Sequence, residues 1–220
     1  MKVYKITEQD GYTRRGEGGE TKWGESITHK AKGKGKCLCS SNVIHCYKDP
    51  YLAILMNPIH GCYNSKTMLL WESEGNIVAD DGTKSGCKSL ATIKQIPIPE
   101  LTIEQKVEIA IRCAMKVYKD NNFQDWAVNW ILNKDRSVAA ASAAADAAWA
   151  AADAASAAWT AAWTAAVAAR AAVAARAAVA AREAVAVREA VWAARAAADA
   201  VWAADFNLID IIYEVVGGAK

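Results

Sequence analysis

The chain has 220 residues, of which 53% are hydrophobic, and its formal net charge is +2. This length allows one or two domains with hydrophobic cores, and so small a net charge does not favour a protein that binds nucleic acid along a basic surface. The amino terminus reads as a strand and not as a signal peptide, and six cysteines in such a chain are typical of free thiols in a reducing cytoplasm. We therefore expect a cytoplasmic protein.

Glycine, proline and alanine are distributed so unevenly that the chain divides into two halves. All four prolines and 11 of the 13 glycines precede residue 100, whereas 40 of the 66 residues from Ala139 to Ala204 are alanine. Alanine has the highest helix propensity, and glycine and proline mark turns. We predict an α+β protein, with a small, mainly antiparallel β domain over 1–100 and an alanine-rich antiparallel helical bundle over 101–220.

Short apolar runs separated by turn residues predict strands in the first half. Val3–Ile6 alternates in polarity, and Asp10-Gly11 and Asp80–Gly82 are turn sequences. The segment from Asn42 to Tyr47 fits either a short helix or the end of a strand. The predicted strands are 3–6, 52–56, 68–71, 75–79 and 89–96.

Basic and aromatic residues in the first half form a candidate ligand site. Arg14 and Arg15 follow a turn and offer planar donors to a phosphate or carboxylate, although a surface salt bridge explains them equally well. Lysines at alternate positions from Lys30 to Lys36 would lie on one side of an extended segment, and a solvated loop is the alternative. The predicted ligand-binding residues are Arg14, Arg15, Trp23, Lys34, Lys36, His45 and Tyr47.

Four cysteines and two histidines between residues 37 and 62 have side chains that bind zinc. Their spacings are Cys-x-Cys, His-Cys and His-x-Cys, and none of these is the longer spacing that surrounds a tetrahedral zinc ion. Residues two apart in a strand share a face, so Cys37 and Cys39 also fit as small core residues. We expect free thiols, no metal site and no cofactor.

Helix signals begin directly after residue 100. Thr102 and Gln105 predict a capping box at the start of a first helix. Phe123–Leu132 predicts a second helix, in which Trp126 and Trp130 share one face.

The alanine tract predicts packed helices and not a catalytic or ligand-binding site. One helix of 66 residues would be about 100 Å long, with bulky residues on all sides. It either folds back into shorter helices or bundles with other copies of the chain. We predict folding back, with breaks at 135–142 and 156–164, where Ser, Thr and Asp can cap helices, and we expect a homo-oligomer. Frequent Asp and Arg exclude a membrane span, and arginines six residues apart, at 170, 176, 182 and 188, do not form a basic stripe.

Seven short segments of the first hundred residues carry a resemblance: Val3–Lys5, Thr13–Gly16, the Gly24 loop, Leu38–Ser41, Ile44–Cys46, Trp71–Val78 and Ser89–Ile96. With them, this half resembles an uncharacterised domain that is common in phage and prophage proteins, where it is often joined to repetitive carboxyl-terminal segments. The resemblance covers nearly half of the chain and implies a phage-associated accessory protein without a known reaction.

A looser resemblance concerns the order of an aromatic strand, Ser40-Ser41, a further aromatic segment and Glu72-Ser-Glu74. This order is similar to that of ADP-ribosyltransferases, which bind NAD, and the resemblance implies that Glu72 or Glu74 would be the catalytic carboxylate.

The sequence thus predicts a phage-encoded, non-enzymatic binding protein without catalytic residues. Its expected partner is an anionic nucleotide-type immune signal of the host cell, or a host defence protein, and neither nucleic acid nor a membrane. The alternatives are an NAD-using transferase and a structural oligomer.

Overall fold

The structure is a computed structural model that describes residues 1–13, 20–154, 159–180, 184–204 and 206–217. The chain forms two compact units, Met1–Glu100 and Leu101–Lys220. Strands and one helix make up the described part of the first unit, and helices make up that of the second. The α+β fold is confirmed. Within the described ranges, no helix is both long enough and apolar enough to cross a membrane.

An antiparallel sheet organises the first unit. Its central hairpin is β6–β7; β1 pairs with β6, and both β4 and β5 pair with β7, at successive positions along that long strand. Strands β2 and β3 form a separate hairpin. The strands of this unit are β1 (Lys2–Thr7), β2 (Tyr12–Thr13), β3 (Thr21–Lys22), β4 (Thr28–Lys30), β5 (Ile44–Cys46), β6 (Leu69–Asp80) and β7 (Ser85–Ile96).

One isolated pairing closes the sheet on itself. Tyr47, directly after β5, donates its backbone N–H to Tyr4 O at 2.9 Å and accepts from Tyr4 N at 2.8 Å. The pairings therefore run from β1 through β6, β7 and β5 and back to β1. This closure places Lys5 of β1 beside His45 of β5.

The turn of the β6–β7 hairpin is held by two aspartates. Asp80 Oδ1 accepts from Gly82 N at 2.8 Å, and Gly82 has a φ of +81°, which favours glycine. Asp81 Oδ1 accepts from Thr83 N and Lys84 N, both at 2.9 Å. The turn predicted at Asp80–Gly82 is present, while the two runs predicted at 68–71 and 75–79 belong to the single strand β6.

The strand predicted at 52–56 is wrong, because this segment lies in helix α1 (Pro50–His60). Asp49 caps the helix by accepting from Leu52 N, and Pro50 suits the first turn because its missing N–H would have no partner there. Residues 52–57 are all buried. A helix buried on every side shows no helical period in its sequence, so a short apolar run reads equally well as a strand.

Helix α2 of the second unit begins at the predicted cap, and α3 begins two residues before the predicted start at Phe123. The capping box of Thr102 and Gln105 is present in full, and Asp120 caps α3 by accepting from Phe123 N at 2.9 Å. Trp126 and Trp130 are both buried on one face of α3. The helices are α2 (Ile103–Val117), α3 (Asn121–Ile131), α4 (Val138–Ala154), α5 (Trp159–Ala180), α6 (Ala184–Ala203) and α7 (Leu208–Val216).

The alanine tract is divided among α4, α5 and α6, and α5 packs against α2, α4 and α6. The first predicted break agrees with the segment before α4, where Ser137 Oγ accepts from Ala140 N. The second predicted break overlaps the start of α5 at Trp159, and Ser156 lies outside the described residues. Residues 181–183, between α5 and α6, lie outside the described residues.

Alanines of α5 are buried on several sides at once. Ala165, Ala166, Ala168 and Ala169 are fully buried, although four such positions point in different directions around a helix. Neighbouring helices therefore approach α5 closely over much of its circumference. Because a methyl group buries little area, such helices gain stability from this close approach.

We predict that Ala169→Leu destabilises the protein, because a larger side chain at a fully buried position forces the helices apart. Overpacking of this kind costs about 1–3 kcal/mol. The matched control is Ala139→Leu, since Ala139 is exposed near the start of α4 and should tolerate the change. Urea unfolding followed by circular dichroism measures both; equal stability of the two variants would contradict close packing around α5.

Candidate functional site

A cavity of about 620 Å³ lies in the first unit. Its walls come from β1, the segment before β5, β5 itself, the end of α1 and the turn before β7. Of its described lining residues, two are lysines and one is acidic. The side chains considered below are Lys5, Glu8, Trp23, Cys39, Ser40, His45, Tyr47, His60, Tyr63 and Lys84.

Lys5 projects from the inward face of β1, which it shares with the fully buried Val3 and Thr7. Its Nζ donates to His45 O at 2.9 Å and lies 5.4 Å from the centre of the Trp23 ring. Neither contact is a carboxylate. Burial of the ammonium lowers the pKa of Lys5 to about 8, and nearby Cys46 offsets only part of this effect.

Lys84 also lines the cavity and is only 8% exposed. The Asp81 turn fixes its backbone, and its Nζ donates to Cys39 Sγ at 2.9 Å. The hydrogen-bond acceptor of this buried ammonium is a sulfur and not a carboxylate. The charge of Lys84 is one of the causes that lower the pKa of nearby Asp81, but that carboxylate does not accept a hydrogen bond from Lys84 Nζ. An anionic ligand would give the buried ammonium a charged acceptor.

Two histidines, His45 and His60, also line the cavity. His45 Nε2 accepts from the backbone N–H of Cys39 at 2.9 Å, so that nitrogen carries no proton in this arrangement. Burial, assisted by the positive charge of Lys84, lowers the pKa of His60 to about 4, so its ring is neutral at pH 7. The His60 ring stacks on Tyr47 with 6.2 Å between centroids, and its Nδ1 is buried without a hydrogen-bond partner among the described residues.

Three of the residues predicted from the sequence line this cavity: Trp23, His45 and Tyr47. Trp23 and Tyr47 are both buried, and Trp23 Nε1 donates to Thr13 Oγ1 at 3.3 Å. These two rings therefore belong to the core as well as to the cavity wall. Arg14 and Arg15 lie outside the described residues.

Lys34 and Lys36 are exposed in the loop between β4 and β5 and do not line the cavity. This part of the loop bends instead of extending, so its lysines do not form one strand face. Lys88 holds the loop by donating to Gly33 O at 3.1 Å and to Asn42 O at 2.6 Å, and also to Gly35 O. The loop in turn carries Cys39 and Ser40 to the cavity.

Sequence reasoning missed Lys5, Lys84 and His60. The sequence did contain a signal for Lys5. Lys5 lies two residues after Val3 in a predicted strand, so the two side chains share one face of that strand. Lys84 lies in a turn, and only the fold shows that its side chain is buried. His60 was considered as a zinc ligand and not as part of a binding site.

All six cysteines are free thiols in the structure. Cys37, Cys39 and Cys62 are exposed, whereas Cys46, Cys87 and Cys113 are buried. Within the described ranges, no group of three or more His, Cys, Asp or Glu side chains is arranged to hold a metal ion.

Glu72 and Glu74, the carboxylates implied by the resemblance to ADP-ribosyltransferases, lie on β6. Glu72 accepts from Lys2 Nζ at 3.1 Å, and Glu74 is exposed. Neither lines the cavity.

A second cavity, of about 280 Å³, lies between α3 and α4 in the helical unit. Five alanines of α4 line one side, and Tyr118, Phe123 and Trp126 line the other. Its lining includes Asp120 and Asp135 but no lysine, histidine or cysteine. We interpret it as the space that small alanine side chains leave opposite large aromatic ones.

Comparison with protein-family models, with characterised proteins and with solved structures gives no match to this chain.

The lowered pKa of Lys5 predicts a specific pH dependence of stability. Below pH 8 the side chain is charged in both states, and the folded state bears the full cost of burying it. Between pH 8 and the ordinary value of 10.5 the folded state loses this proton while the unfolded state retains it, so folding becomes more favourable as the pH rises.

We therefore expect Lys5→Met to be more stable than the wild type below pH 8, with a difference that shrinks towards pH 10.5. Lys5→Arg is the matched variant that stays charged in both states, so the wild type should gain stability relative to it over the same range. Urea unfolding at several pH values measures the three free energies. If the free energy of unfolding changes with pH in the same way for all three proteins, Lys5 does not titrate in this range.

Proposed function

We propose that the protein is a non-enzymatic binding protein whose first unit holds a small anionic ligand in the 620 Å³ cavity. The observation that carries this proposal is the pair of lysines, Lys5 and Lys84, at which no carboxylate pairs with the ammonium among the described residues. Among the described lining residues, one carboxylate, Glu8, accompanies two ammonium groups. An anion would give these ammonium groups a charged hydrogen-bond acceptor.

The other walls favour a nucleotide-type ligand over a simple inorganic anion. The half-buried Tyr63 and the hydroxyl-bearing Ser40 line the same cavity, and the buried rings of Trp23 and Tyr47 form part of its wall. An accessible aromatic ring such as Tyr63 can stack on a base, and lysines can donate hydrogen bonds to its phosphates. The volume lies within the range of about 300–1,000 Å³ that is usual for small-molecule sites.

The arrangement of Cys39 and His45 differs from that of a cysteine–histidine catalytic pair. His45 Nε2 accepts from the Cys39 backbone N–H and is therefore not placed to take the proton of the Cys39 thiol. We therefore propose stoichiometric capture. With the resemblance of residues 1–100 to a phage-associated domain, this favours a phage-encoded protein that sequesters a nucleotide-type signal of host immunity in the host cytoplasm.

We propose that the helical unit supports self-association. Trp202, near the end of α6, is 57% exposed, and a large apolar side chain in water favours burial against a partner. A second copy of the chain is the partner that the sequence leads us to expect. Sedimentation velocity gives the mass of the protein and of Trp202→Gln; a wild type that is monomeric at all concentrations would contradict this part of the proposal.

The binding proposal predicts that Lys5→Met and Lys84→Met each weaken a nucleotide ligand. The loss of a charge-assisted hydrogen bond costs about 1.5–3 kcal/mol, which corresponds to roughly a 10- to 150-fold loss of affinity. The probes are a cyclic dinucleotide, ADP-ribose and inorganic pyrophosphate, first ranked by the shift in melting temperature and then titrated by calorimetry.

Lys34→Met and Lys36→Met are the matched controls, because they remove the same charge from exposed positions outside the cavity. We expect them to retain affinity. Equal losses in all four variants would indicate general electrostatic attraction instead of a site. A ligand recovered in altered form would favour the transferase alternative, and no shift with any probe would favour a protein partner.

A further inference from the structure

The three exposed cysteines differ in what contacts their sulfur atoms. Cys39 Sγ accepts a hydrogen bond from Lys84 Nζ at 2.9 Å. Cys37 Sγ instead donates to Leu38 O at 3.2 Å, which requires that its proton is present. Cys62 is exposed as well. Of the three, Cys39 is the one whose sulfur receives a hydrogen bond from an ammonium.

The contact with Lys84 favours reaction at Cys39. A hydrogen bond from an ammonium is stronger to a thiolate than to a thiol, and the thiolate is the form that attacks other sulfur atoms. Because Lys84 is buried, little water competes with Cys39 for the ammonium. The same charge attracts anionic reagents to the cavity wall.

The backbone around Cys39 fixes the sulfur at this wall. Cys39 has a φ of +61°, in the left-handed region that few side chains adopt. Its N–H donates to His45 Nε2 at 2.9 Å, and Ser40 Oγ donates to Cys37 O at 2.7 Å. The sulfur is therefore held toward Lys84 by contacts on both sides of the residue.

We propose that Cys39 is a modification site, which reacts with small anionic disulfides such as oxidised glutathione in preference to Cys37 and Cys62. The Cys39 thiolate attacks one sulfur of the reagent, a new sulfur–sulfur bond forms, and the bond within the reagent breaks. The released thiolate takes up the proton that Cys39 has given to solvent. The product is a mixed disulfide at the cavity wall.

This inference does not rest on the proposed function, because it concerns the thiol and not the nucleotide. It has a consequence for that function, since a glutathionyl group at Cys39 would occupy the cavity.

The test treats the intact protein with oxidised glutathione at pH 7 and measures adducts at each cysteine by peptide mass spectrometry at short times. We expect Cys39 to react roughly tenfold faster than Cys37 and Cys62. Lys84→Met should slow Cys39 to the rate of the other two without changing theirs, and Lys84→Arg should restore most of the difference. A neutral reagent, hydroxyethyl disulfide, should retain a smaller preference for Cys39.

Two internal controls accompany this experiment. Cys39→Ser should remove the fast adduct, and labelling of Cys87, which is buried in the same unit, reports any unfolding of a variant. If Lys84→Met unfolds, the wild type and Lys84→Arg still test the proposal, because Cys39 should react faster than Cys37 and Cys62 in both proteins. Equal rates at the three exposed cysteines, or a Cys39 rate that Lys84→Met leaves unchanged in a folded protein, would overturn the proposal.

Discussion

The backbone pairing of Tyr4 with Tyr47 connects strands that are more than 40 residues apart in sequence. It joins the end of β5 to β1, the two strands that contribute Lys5 and His45 to the cavity wall. Without it, the Lys5 ammonium would not reach His45 O, and Lys5 would project from an edge strand into water. The site therefore depends on two backbone hydrogen bonds whose partners the local sequence does not mark.

The closed sheet also explains why the fold tolerates two enclosed ammonium groups. Each is satisfied by a neutral acceptor, a backbone carbonyl for Lys5 and a sulfur for Lys84. Such acceptors meet the need for a hydrogen bond but do not neutralise the charge, which is why burial lowers the pKa of Lys5. Apolar residues of similar shape would stabilise the unit more. Retaining the charges at that cost is typical of a binding site.

Local signals predicted the local structure, whereas the site arises from contacts that are distant in sequence. The capping box of Thr102 and the turn at Asp80–Gly82 were predicted because each is specified within a few residues. Helix α1 was missed because residues buried on all sides lose the helical period. Lys84 was missed because nothing near a turn lysine shows that a distant loop will cover it. Lys34, which is exposed, was predicted instead, because the sequence shows which residues are charged but not which of them are buried.

Lys84 links the two chemical properties of the cavity. The Lys84 ammonium has three N–H donors and gives one of them to Cys39 Sγ, so it can keep that contact while it also donates to a phosphate oxygen. A bound anion would then share the charge of Lys84 with the thiol. A mixed disulfide at Cys39 would instead fill the space that the proposed anion needs. The proposed ligand and the proposed modification would therefore compete for the same cavity.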